Sequence, residues 1–160
     1  MKPLITFQAI DANRVYWPSE DFVCEYRVDA VPASDITAVE ASVLWYTEGK
    51  GEEDMAVHAF QRRLPADVPH GDLRQLDSIR TKLPNSPLSY AGRIVKIRWC
   101  VRVRVFLSRN REAFAERSFL LGAVPAARLP EVAGATAGAM PVAADALRDL
   151  PSATATSSED

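Results

Sequence analysis

The chain is poor in the residues that most often carry chemistry. Its 160 residues include two histidines and two cysteines. His58 sits in "MAVHAFQ", on the same strand face as Phe60, and His70 sits in "PHGD". Neither has a cysteine or second histidine at ligand spacing, so no zinc centre is expected. There is no G-x-S-x-G elbow and no glycine-rich phosphate loop. Glu48, Glu52, Glu53 and Asp54 crowd one glycine-bearing turn, but they lack the D-x-D-x-D-G spacing that wraps oxygens around calcium. The expectation is therefore a non-enzymatic protein with no catalytic residue, metal or cofactor.

Long apolar runs are missing as well. No stretch approaches the roughly 18 apolar residues of a membrane helix. The opening "MKPLITFQAIDANR" has one lysine and too short an apolar run for an export signal. A reducing, cytoplasmic location with free thiols at Cys24 and Cys100 is the expectation that follows. A net charge of -2 and a pI near 5.7 give no basic signal for nucleic acid.

Aromatic residues also run out, the last being Phe119. The segment 122–160 is rich in alanine and carries four of the eleven prolines. Such a composition does not bury enough apolar area to offset the entropy of ordering it. Residues 1–121 are thus expected to form one domain, and 122–160 a disordered tail. Within the tail, Ala143, Leu147 and Leu150 share one helical face between Pro141 and Pro151, a pattern that suits docking on a partner.

What remains alternates. Phe22, Cys24, Tyr26 and Val28 fall on one face of a strand, and Val39, Ala41, Val43 and Trp45 on one face of the next. "MAVHAFQRR" returns as a hairpin, and "LDSIRTKLP" reads as a further strand. The longest strand puts Val95, Ile97, Trp99, Val101, Val103, Val105 and Leu107 inward, and "AFAERSFLLG" pairs back on it. With "LITFQAI" these make about seven strands, and an antiparallel β-sandwich is the economical way to bury one face of each. Cys24 lies on an inward face and Cys100 on an outward one, so the two are not expected to bond.

Two segments carry a resemblance. "VYWPSEDFVCEYRV" and "LPNSPLSYAGRIVKIRWCVRVRVFL" resemble, in order and spacing, the early and late signatures of arrestin-like domains. The likeness covers roughly residues 4–121 and implies an immunoglobulin-like, arrestin-like sandwich, of the kind also found in sporulation-control and retromer-type relatives, acting as a scaffold or adaptor. Ser19 stands where the family usually has glycine, so the turn is expected to take a conformation open to a Cβ. Arrestins proper have two sandwiches, and this chain has length for one.

The strongest binding candidate is the outward row of the long strand: Lys96, Arg98, Arg102, Arg104 and Phe106, interleaved with Cys100. Arginine forks suit carboxylates and phosphates, although cross-strand acids such as Glu116 are natural partners for them. The partner expected is a protein or a second copy of the chain. The alternative is a peripheral membrane or anionic-ligand module working through this basic face. Sugar binding at Trp17 or Tyr90 comes third.

Overall fold

Alternation of apolar and polar residues determines which face of each strand is buried, and two sheets follow from it. The computed structural model describes residues 1–122 and Val124; the expected tail beyond them, including the 141–151 helix, lies outside the described residues. Nine strands succeed one another: β1 (Leu4–Gln8), β2 (Val15–Tyr16), β3 (Asp21–Asp29), β4 (Ile36–Gly49), β5 (Met55–Arg63), β6 (Asp77–Lys82), β7 (Tyr90–Ala91), β8 (Val95–Leu107) and β9 (Arg111–Leu121). Seven were expected; β2 and β7 are two-residue strands. The "ADVPHGD" segment holds two short 3-10 turns, Pro65–Asp67 and Pro69–Gly71.

The smaller sheet has the order β1-β3-β6, and the larger β2-β9-β8-β4-β5, with β7 on the end of β8. All pairings are antiparallel except that of β2 with β9. This is an all-β sandwich. Phe22, Cys24, Tyr26 and Val28 from β3 join a core with Val39, Ala41 and Val43 from β4 and Trp99, Val101, Val103, Val105 and Leu107 from β8. Each such buried valine or phenylalanine stabilises the fold by about 1.5–3 kcal/mol. Tyr16, Phe22, Phe119 and Trp99 form an aromatic cluster, with Phe22 and Phe119 centroids 4.6 Å apart.

Two local expectations are corrected. Ser19 does not escape the glycine-like conformation: its φ is 65, and the Glu20 N–H closes the turn onto Trp17 O at 3.1 Å. Its hydroxyl donates to Asn85 Oδ1, and its amide to Leu83 O, which hold it there. His58 does not share a face with Phe60. The register of β5 on β4 slips between Val43 and Leu44, leaving His58 without an opposite residue. This β-bulge turns its ring toward the small sheet, with Nε2 2.8 Å from the Lys82 carbonyl oxygen and 3.2 Å from Thr81 Oγ1.

The same side of the sandwich is fastened by Asp77 on β6. Its Oδ2 accepts from the Tyr26 hydroxyl, from Gln61 Nε2 and from Arg63 Nε, at 3.1, 3.1 and 3.2 Å. Strands β3, β5 and β6 are thereby joined through one carboxylate.

Candidate functional site

Among the described residues no second layer covers the outward face of the larger sheet, and all five candidate residues lie along its middle strand. Antiparallel pairing sets each opposite a residue on β4 and, from Trp99 onward, on β9. Glu48 stands opposite Lys96, Tyr46 opposite Arg98, Glu40 opposite Arg104, Glu116 opposite Arg102 and Glu112 opposite Phe106. Acids therefore flank the basic row on both sides, as period-two strands in this register require.

The pairs are made. Arg98 Nε lies 2.6 Å from Glu48 Oε2, Arg102 Nη2 2.6 Å from Glu116 Oε1, and Arg104 Nη2 2.9 Å from Glu112 Oε2. Glu40 takes Arg62 from β5 and also lies 3.8 Å from Arg104. Lys96 is exposed and makes no ion pair among the described residues. Phe106 is half-buried between the guanidinium groups of Arg104 and Arg62, at 5.0 and 5.4 Å from its ring centre. Five cations meet four carboxylates on this face, so its net charge is small.

Cys100 shares the outward row yet is fully buried, with Leu44 and Ser118 opposite it. Burial, reinforced by Glu116, pushes its thiol up to about 12, and burial does the same to Cys24 on the inner side. Both are free.

The face also has an apolar part that its charge pattern does not announce. Phe114 on β9 is 62% exposed and Phe60 on β5 is 58% exposed, with Met55 and Val57 also open to solvent. Arg102 spans much of this surface: its guanidinium is 6.0 Å from the Phe114 ring centre and 3.9 Å from Met55 Sδ. Phe114 alternates in step with Glu112 and Glu116, which would have marked it as outward; Phe60 was obscured by the bulge. At the corner where β9 leaves β8, Lys96, Arg98, Tyr90, Leu120 and Val124 line a groove of about 420 Å³.

Among the described residues no three His, Cys, Asp or Glu side chains are grouped to hold a metal ion. No helix among them is long and apolar enough to cross a membrane.

The sequence matches no protein-family model and no curated protein. Among solved structures, it is similar to Spo0M, a sporulation control protein from Bacillus subtilis, with a TM-score of 0.51 and 9% identity. The alignment covers 78% of this chain and 51% of that one, so the chain spans about half the length of that structure. The likeness is one of fold, and with the strand topology above it gives the chain an arrestin-like all-β sandwich.

Proposed function

We propose that this chain is a non-enzymatic interaction module, a scaffold or regulator in the cytoplasm, that binds a protein partner through the outward face of its larger sheet. One observation carries this: Phe114 and Phe60 stand exposed on either side of a row of arginines already matched by carboxylates. Aromatic residues, methionine and arginine are the types enriched where proteins bind each other. Arg98, Arg102, Arg104 and Phe106 form the middle of the proposed surface, and Lys96 its exposed rim. The near balance of charge favours a protein partner over an anionic membrane, which calls for a net basic surface.

The test is capture with the purified chain as bait, beside a Phe114→Asp variant and an Arg102→Glu/Arg104→Glu variant. A protein retained by the wild type and lost from both variants supports the reading. Salt-sensitive flotation with phosphatidylserine vesicles, abolished by the double arginine variant, would replace it with the membrane alternative.

A further inference from the structure

The two edges of the larger sheet are treated differently. On one side β2 and β7 cover only residues 120–121 of β9 and 96–97 of β8, and the rest of β9 is an edge that carries Arg111, Glu112, Glu116 and Arg117. On the other it ends in β5, nine residues long, whose backbone pairs with β4 and with no other strand among the described residues. Proteins usually blunt such an edge with charge, proline or brevity. Here residues 55–61, "MAVHAFQ", contain no charge at neutral histidine and no proline. Met55, Val57 and Phe60 are each at least half exposed.

The bulge gives this edge an unusual symmetry. Met55, Val57, Phe60 and Arg62 lie opposite Tyr46, Leu44, Ser42 and Glu40, and so face outward. Ala56, Ala59 and Gln61 lie opposite Trp45, Val43 and Ala41, and His58 reaches to the small sheet, so these face inward. From 55 to 62 the order is out, in, out, in, in, out, in, out. It reads the same in reverse. An unbulged strand of eight has no such property, because strict alternation reversed end to end exchanges the two faces.

The backbone follows the same order. The Thr47 N–H donates to Asp54 O at 2.9 Å, so Asp54 and then Ala56 turn their peptide groups toward β4. Past the bulge the residues opposite Val43, Ala41 and Val39 do so, namely Ala59, Gln61 and Arg63. Met55, Val57, Phe60 and Arg62 are left turned to the open edge. Of these, Met55 N–H is held by the carboxylate of Asp54.

We infer that β5 is a self-pairing edge, which joins antiparallel to β5 of a second copy of this chain about a two-fold axis between His58 and Ala59. In this register Val57 meets Phe60 of the second copy, and Met55 meets Arg62. Outward residues face outward residues throughout, and peptide groups turned to the edge face each other as hydrogen-bonded pairs. A shift of one or two residues sets outward side chains against inward ones near the bulge. Charge agrees as well: Asp54 meets Arg63 of the second copy, because β5 runs from the acidic tip Glu52, Glu53 and Asp54 to the basic pair Arg62 and Arg63. An isologous pair of this kind closes after two copies, leaving no free β5 edge. The inference shares Phe60 with the proposed binding face but does not rest on that reading, and Phe114 on β9, three strands away, distinguishes the two.

The test is sedimentation of the full chain over a concentration series, with hydrogen exchange read at the Val57 and Phe60 amides. The expected result is a reversible dimer in which both amides become protected as concentration rises. Val57→Lys, at a half-exposed edge position, is expected to weaken the dimer at least about tenfold, and Phe114→Asp to leave it unchanged. A chain that stays monomeric to about 100 µM overturns the inference. So does a dimer whose Val57 and Phe60 exchange is independent of concentration, or one that Phe114→Asp abolishes. The exchange measurement uses the wild-type chain, so a failure of Val57→Lys to fold does not remove the test.

Discussion

The Trp99 indole N–H donates to the Pro87 carbonyl across 2.8 Å, tying the centre of the large sheet to the loop that leads into it. Trp99 is 1% exposed and touches the aromatic cluster through Phe119. Trp99→Phe removes the donor, leaves a half-buried carbonyl without its partner and opens a small void. A loss of about 2–3 kcal/mol is expected, measured by urea denaturation.

Ser19 is held at φ 65, where a side chain costs roughly 1–2 kcal/mol. Ser19→Gly relieves that cost at the expense of the exposed Asn85 hydrogen bond and some chain entropy. It is expected to stabilise the fold by about 0.5 kcal/mol, and Ser19→Val to destabilise it by more than about 1 kcal/mol. Paired thermal melts check both directions.

Arg102 and Glu116 are each 28% exposed at the side chain. Their coupling in a double-mutant cycle is expected at about 0.5–1 kcal/mol in low salt, and smaller in high salt. A coupling that salt leaves unchanged would show that the pair is shielded from solvent more fully than its exposure indicates.

Cys24 and Cys100 have thiols raised from an ordinary 9.0 to about 12, first by burial. The folded state therefore holds these protons more tightly than the unfolded state. Stability from this source is complete below pH 9 and declines between pH 9 and 12. Tyr26, raised by burial and by Asp77, adds to the decline in alkali. Native protein is expected to resist thiol reagents at pH 8, and the double alanine variant to lose stability less steeply as pH rises, although not to level off.

The strands that sequence made legible are those long enough to show a period. The inward set of β3 and the centres of those of β4 and β8 follow from alternation alone, as does the separation of Cys24 from Cys100, but Val95, expected inward, is 36% exposed at the start of β8. Strands β2 and β7 are too short to have a period; Val15 and Tyr16 are strands only because Leu120 and Leu121 lie beside them. His58 was assigned to the wrong face because one extra residue, invisible without β4 next to it, reverses the parity. The basic row was legible, and its pairing with Glu116 also. Its apolar flank at Phe60 was not, since that flank depends on the same bulge.

The parallel contact of β2 with β9 has a consequence for biosynthesis. Tyr16 O receives the Gly122 N–H at 2.7 Å, and Leu121 lies beside Tyr16. At about 5–20 residues per second, a ribosome takes roughly 5–20 s to make the chain between them. For that time the ring of Tyr16 and its neighbour Phe22 lack Phe119, the third member of their stack. The aromatic core at this corner therefore closes only when the last strand has been made, and a chain cut before Leu121 leaves β2 without its partner.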